Sequence, residues 1–393
     1  MPATANARLV QVDALRGFAL FGILSVNIWA FADPYYASTS SNPTYASVLD
    51  HGVRLLVAWL FETKFYLLFS FLFGYSFTLQ MAAAERAEAA FVPRMLRRQL
   101  ALLILGLAHG ALLYYGEILS TYALLGLVLL AVRNLSAARA RRWAIGLVVV
   151  ACSLWMVLGV LQGLEGQWVG TGHDEAQAKL AAFSAGALQT VQFHSREVWA
   201  TVPALWLLQG PSALAMFLFG YAAGRQQWLA SSQAWAPRTR RLLLMTAPLG
   251  LLGALVYALT AAYRPGGGLE TFAFGLGQLT APLLTATYCL GMLALFNTAT
   301  GARLCACLAP LGKMALSNYL MQSMVLGLLF TGYGAGWVNQ VEPWLLLPMA
   351  AAIFILQMGL SAHWLRRHPY GPFEWLLRAA TLLAWPQWRR EAR

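Results

Sequence analysis

A chain of 393 residues that is 59% hydrophobic and 11% charged, with mean hydropathy +0.59, lies outside the range of soluble domains, which are roughly 25% charged. The net charge of +12 does not call for nucleic acid, because the arginines in the cytoplasmic loops of a membrane protein supply it. The four cysteines, Cys152, Cys289, Cys305 and Cys307, have no zinc-type spacing and predict neither a disulfide nor a metal site.

Apolar runs between charged or Pro/Gly-rich breaks predict helices near residues 14–32, 53–81, 95–115, 118–132, 143–163, 203–223, 242–262, 272–297, 311–331 and 343–364. Most approach the ~20 residues needed to cross a ~30 Å hydrocarbon core, and the ten-residue alternation of a membrane barrel is absent. The predicted fold is all-α, a single polytopic membrane bundle over residues 1–393 with about ten transmembrane helices.

Charge sets the orientation. With the N-terminus inside, the inner loops hold Arg86, Arg94, Arg97 and Arg98, then Arg133, Arg139, Arg141 and Arg142, then Arg225, Arg238, Arg240 and Arg241, then Arg303, Arg366 and Arg367. The outer loops hold Asp33, Asp50, Glu165, Asp174, Glu175, Glu197, Glu270 and Glu342 against Arg54, Lys179, Arg196 and Arg264. The positive-inside rule therefore places both termini in the cytoplasm and makes the helix count even. Asp13 and Arg16 open the first apolar run with no cleavage site behind it, so the first helix is expected to be retained. Residues 165–200 form the longest outer stretch, predicted to include an interfacial helix; residues 366–393 form an amphipathic cytoplasmic tail. Trp199, Trp206, Trp337 and Trp344 suit an interfacial belt. No matched Gly/Pro breaks in two halves mark an inverted-repeat transporter.

Ionisable groups within the apolar runs are costly, at least ~2.5 kcal/mol at a helix centre, and each is a functional candidate. Asn27, Lys64, His109, Glu117 and Tyr122 all fall in the outer half and form a candidate polar cluster. On one account His109 is a general base tuned by Glu117, with Lys64 or Asn27 stabilising developing negative charge, a set that suits acyl transfer. On the other, His109 hydrogen-bonds a neighbouring helix, Glu62 and Lys64 snorkel outward and Glu117 is a solvated turn carboxylate. His51, beside Asp50, is the alternative base or a solvated loop histidine. Asp13 and Arg16 either pair with each other or bind an anionic head at the inner face. Asn318 and Gln322, one turn apart, are candidate ligand contacts or interhelical hydrogen bonds.

Asp13-Ala-Leu-Arg16-Gly17, Lys64-Phe-Tyr-Leu-Leu-Phe-Ser-Phe-Leu-Phe-Gly74, His109 with Gly116-Glu117-Ile-Leu and Tyr122-Ala, Ser317-Asn318-Tyr-Leu-Met-Gln322 and Tyr370-Gly-Pro-Phe-Glu374-Trp375 together resemble the YeiB-like bacterial membrane proteins, family 418 among the domains of unknown function. Glu117 stands where that family usually has Asp. The Asp-x-Leu-Arg-Gly start is also similar to that of multi-pass acyltransferases, the acyltransferase-3 and heparan glucosaminide acetyltransferase types. That resemblance implies transfer from a cytoplasmic thioester, acyl-coenzyme A, to a glycan, lipid or small-molecule acceptor at the outer face. Arg16 would lie at the inner end and His109 at the outer, or His51, since the glucosaminide enzyme's histidine follows its first helix. The alternatives are a small-solute transporter and a non-catalytic lipid- or glycan-binding protein. The expected setting is the bacterial cytoplasmic (inner) membrane, with lipids and a glycan or lipid acceptor as partners, no tightly bound cofactor and no nucleic acid.

Overall fold

The computed structural model describes residues 2–38, 40–164, 171–230 and 236–391. Glu165 and the rest of 165–170, in the predicted outer loop, lie outside the described residues. Among the described residues fifteen α-helices follow in chain order: α1 (Pro2–Ala32), α2 (Val48–Leu60), α3 (Lys64–Arg86), α4 (Phe91–Leu112), α5 (Leu119–Ala131), α6 (Ala137–Leu164), α7 (Thr171–Ala185) and α8 (Ala187–Leu208). The rest are α9 (Gly210–Arg225), α10 (Ala236–Tyr263), α11 (Gly268–Phe296), α12 (Ala299–Lys313), α13 (Ala315–Phe330), α14 (Pro343–Arg367) and α15 (Pro372–Leu382).

Among the described residues, seven spans are long and apolar enough to cross a membrane, and nine if the bent pairs α8–α9 and α12–α13 each count as one. The tenth predicted crossing is α5, whose 13 residues extend only about 20 Å, short of a ~30 Å core. The helices predicted over 53–81 and 203–223 are each broken in the structure, and the one predicted over 311–331 begins only at the end of α12 and misses most of that helix. The α8–α9 pair bends by 54° and the α12–α13 pair by 79°, while α2 and α3 are separated at residues 61–63, where Thr63 has φ of 71°.

Loop-to-loop bonds agree with the alternation drawn from charge. On the arginine-rich side, Tyr221 donates to the carbonyls of Arg133 and Leu135, and Arg97 Nε donates to the Thr381 carbonyl of α15 at 3.1 Å. On the opposite side, Asn339 N–H donates to the Ala32 carbonyl at 2.8 Å, Asn42 donates to Asn339, and Tyr333 donates to the Leu112 carbonyl.

The centre of the bundle is α1, whose Leu15, Leu20, Leu24 and Ile28 are wholly buried. Two close crossings fix the frame. A Cβ on Gly220 of α9 would lie 1.9 Å from the Phe71 carbonyl oxygen of α3, and one on Gly312 of α12 would lie 1.7 Å from the Asp13 carbonyl oxygen of α1. Only glycine permits backbones to approach so closely, which is how helices gain packing contact in lipid.

A buried carboxylate and loop hydrogen bonds secure the shorter helices. Glu374 of α15 accepts from the Leu316 and Ser317 amides and the Ser317 hydroxyl, at 2.7, 3.1 and 2.5 Å, and so caps α13 where it bends away from α12. Burial raises the Glu374 pKa while its bonds with Ser317 act against the shift. Residues 171–185 pack over the outer mouth: Gln177 donates to the Tyr35 hydroxyl, His173 Nδ1 lies 3.0 Å from the same hydroxyl, and Ser38 donates to the Gly172 carbonyl. Trp199, Trp206, Trp337 and Trp344 are exposed, as an interfacial belt requires.

Candidate functional site

A cavity of about 520 Å³ opens in the half of the bundle opposite the arginine-rich loops. Its walls come from α1, the α1–α2 loop, the α2–α3 break, the α4–α5 loop, α6, α8, α10, α11 and α13. Aromatic faces dominate, among them Tyr66, Tyr115, Trp155, Phe274 and Tyr319, interspersed with Asn27, Ser38, Gln162, Thr201, Gln209 and Thr271. A smaller recess of about 150 Å³, lined by Asp33, Asp50 and His51, shares Tyr36, Ser38, Tyr257 and Glu270 with it and leads on toward the outer loops.

The best-defined polar feature of the wall is Glu62, at the break between α2 and α3. Its Oε1 accepts from Arg54 Nη1 at 2.5 Å and from the Tyr36 hydroxyl at 2.8 Å, and its Oε2 accepts from the Tyr257 hydroxyl at 2.6 Å. The residue is 5% exposed, so it does not snorkel. A carboxylate holding three donors is committed to anchoring them, which argues against a role as proton acceptor. Beside it, Thr63 sits at positive φ, a backbone state that costs a β-branched residue of order 1–3 kcal/mol and that clusters at functional sites. Glu270, in the first turn of α11, accepts from the Gly266 amide at 2.6 Å through Oε2.

The sequence-predicted residues divide into four groups. Asn27 lines the cavity. His109 is buried just behind the wall, its ring centroid 5.2 Å from that of Tyr319 and 6.5 Å from that of Tyr114, two tyrosines that do face the cavity. Neither ring nitrogen of His109 has a hydrogen-bond partner. His51 lines the outer recess, with Nδ1 2.8 Å from the Ala262 carbonyl and its ring stacked on Tyr263.

The remaining candidates are held in local structure. Lys64 is 2% exposed and donates to the Ala58 carbonyl at 2.7 Å, closing the C-terminal end of α2. Glu117 accepts from the Leu119 and Ser120 amides, at 2.5 and 3.1 Å, and so caps α5 rather than a histidine. Burial raises the Glu117 pKa, and bonds from Ser120 and the Leu119 amide offset part of the rise. Tyr122 lies 2.7 Å from the Ser70 hydroxyl and donates to the Tyr66 carbonyl at 2.9 Å. Asn318 bonds Ser361 and Gln322 bonds Gln357, both at 2.9 Å, tying α13 to α14. At the arginine-rich end Arg16 pairs with Asp13 at 2.6 Å and donates to Ser76.

His194 of α8, 0% exposed, has two unpartnered ring nitrogens, and its ring lies 5.7 Å from that of Tyr115 in the cavity wall. Sequence reasoning did not single it out, because it lies in a stretch read as surface helix. The tyrosines Tyr36 and Tyr257 and the arginine Arg54 were likewise missed; the one local signal was a buried-position glutamate in want of a partner, Glu62 itself.

The sequence profile of the family described as "Protein of unknown function (DUF418)" matches residues 223–384. Over nearly the full length of both chains there is 31% identity to the uncharacterized protein YxaH of Bacillus subtilis (strain 168), covering 98% of this chain and 96% of the relative. The uncharacterized protein YeiB of Escherichia coli (strain K12) is 28% identical, covering 96% of this chain and 97% of the relative. An uncharacterized 39.9 kDa protein of the amylase 3' region of Bacillus acidopullulyticus is 28% identical, covering 97% of this chain and 95% of the relative.

Proposed function

Since the chain belongs to the YeiB-like family of bacterial multi-pass membrane proteins, we propose that it transfers an acyl group from a cytoplasmic thioester to a hydroxyl of a glycan-like acceptor held in the outward cavity. The observation that carries this is the lining of the cavity: flat aromatic faces for the C–H faces of a sugar, with amide and hydroxyl side chains for its hydroxyls. The setting is the bacterial cytoplasmic (inner) membrane, and the donor is acyl-coenzyme A.

In the transfer, the acceptor oxygen attacks the thioester carbonyl carbon, so that the C–O bond forms and the C–S bond breaks. The hydroxyl proton passes to a base and then to the departing sulfur, which leaves as the thiol. His109 is the base favoured here. Its imidazole is spare on both nitrogens, and one layer of tyrosine separates it from the cavity, whereas Glu62 and Glu117 are committed to other donors. Arg16 and Asp13, at the other end of α1, supply an ion pair that an anionic phosphate could open.

A second reading, non-catalytic binding of the same acceptor, is favoured by one fact: His109 does not itself line the cavity. Transport has less support, because the mid-membrane groups that suggested it, Glu62 and Lys64 in one apolar run and Asn318 and Gln322 in another, are each bonded within the bundle.

The test uses protein reconstituted in sealed vesicles, radiolabelled acetyl-coenzyme A at the arginine-rich face and oligosaccharides at the other. The expected result is acetylated oligosaccharide, with Asn27→Ala raising KM for the acceptor and His109→Gln lowering kcat by about 10²-fold or more. Acceptor binding without transfer would leave the non-catalytic reading. Transfer that survives His109→Gln but fails in His51→Gln would move the base to the outer recess.

A further inference from the structure

A second cavity, of about 930 Å³, lies in the arginine-rich half of the bundle among α3, α9, α10 and α11. Its character is opposite to that of the outward site. Leu68, Met216, Leu243 and Leu290 typify walls that are apolar for nearly their whole extent. Its charged exceptions are Arg141 in the first turns of α6 and Arg240 near the start of α10, joined by Asn297 at the C-cap of α11, all at helix ends that adjoin the arginine-rich loops, while the hydroxyls of Thr246 and Thr285 farther along the walls donate to the Leu242 and Lys64 carbonyls. Arg141 has a buried Nη1 with no hydrogen-bond partner among the described residues. A guanidinium nitrogen withdrawn from water without an acceptor is costly, so the site has an unmet demand for an anion.

The dimensions fit one leaflet. From Asn297 at the basic end to Pro282 at the deep end, α11 rises about 22 Å, enough to contain the ~15 Å acyl region of a single leaflet together with the adjoining headgroup level. We propose that this groove holds one glycerophospholipid of the cytoplasmic leaflet, with its acyl chains along α10 and α11 and its anionic headgroup on Arg141 and Arg240. A free phosphate would satisfy the arginines but leave the apolar length unfilled, and an uncharged hydrocarbon would leave Arg141 unpaired. A zwitterionic lipid brings its phosphate with an ammonium that the two arginines repel. This lipid site is independent of the acyl-transfer reading.

Native mass spectrometry of the purified full-length protein, titrated with phosphatidylglycerol and, separately, phosphatidylcholine, tests the assignment. One phosphatidylglycerol should be retained in preference to phosphatidylcholine by about 10-fold, and Arg141→Gln or Arg240→Gln should each weaken it by about 5-fold, the worth of one basic residue at a lipid surface. Leu243→Trp, which fills the groove, should lower retention of both lipids, with a thermal scan reporting whether the variant is folded. Arg240 is exposed, so its substitution keeps the test open if Arg141→Gln misfolds. Equal retention of the two lipids by the unmodified protein would overturn the proposal. So would a loss in Arg196→Gln, a distant exposed arginine, as large as that in Arg240→Gln.

Discussion

Replacing Glu62 by methionine would strip the cavity wall of the acceptor that Arg54, Tyr36 and Tyr257 share. The side chains of Arg54 and Glu62 are 19% and 6% exposed, so the guanidinium has little water to turn to. Removing one member of a buried pair costs ~3–5 kcal/mol, and the residual exposure of Arg54 puts this case near the lower end, about 3 kcal/mol. Removing both charges together, in Arg54→Met/Glu62→Met, eliminates the uncompensated charge and should recover part of that loss, the remainder being the cost of the Tyr36 and Tyr257 hydroxyls left without their acceptor. Thermal unfolding followed by tryptophan fluorescence in one fixed detergent reads all four members of the cycle, including Arg54→Met alone. If Glu62→Met is as stable as the unmodified protein, or the double variant is no more stable than the single, the pair is not a buried anchor of the wall. The account of Glu62 as unavailable for proton transfer would then fall with it.

Gly220→Ala should destabilise by ~1–3 kcal/mol, because its Cβ meets the Phe71 carbonyl and backbone cannot yield as a side chain does, whereas Gly291→Ala, with nothing within 4 Å, should leave the melting temperature unchanged. Glu117→Ala should lower stability by ~1–2 kcal/mol through the uncapped Leu119 and Ser120 amides, and Glu117→Gln should recover part of that loss in the same assay. Burial holds Lys179 of α7 down at about 8, against the opposing pull of Asp33. A lysine freed from that site titrates near 10.4, so between about pH 8 and pH 10 the undocked state binds more protons and docking of α7 strengthens as pH rises. Hydrogen exchange of the α7 amides, corrected for intrinsic rates, should slow over that interval, and Lys179→Met should abolish the trend.

Hydropathy and charge are one-dimensional properties, and what rests on them was legible. The run from Val10 to Ala32 reads as a span whatever it packs against, and the arginines of successive inner loops orient the chain because a charge is costly to carry across lipid wherever it lies in the sequence. Asn27 was legible for the same reason, since a lone amide in an apolar run must face something other than lipid. The helix breaks were not. A window of about 19 residues averages over a turn, so Glu62 and Lys64 read as two intrusions in one long helix, when they stand on either side of a break, one on the cavity wall and one closing α2. Nor was the pairing of side chains. His109 and Glu117 are near in the chain and invite coupling, yet Glu117 lies two residues before α5, where free amides are its nearest donors. Glu62 found Tyr257, 195 residues away. Composition and hydropathy mark this chain as a multi-pass membrane protein, and loop charge predicts which way round. Which polar groups meet was decided only by the tertiary structure, because inside lipid a buried donor or acceptor must be satisfied by whatever neighbouring helix the packing brings within 3 Å of it.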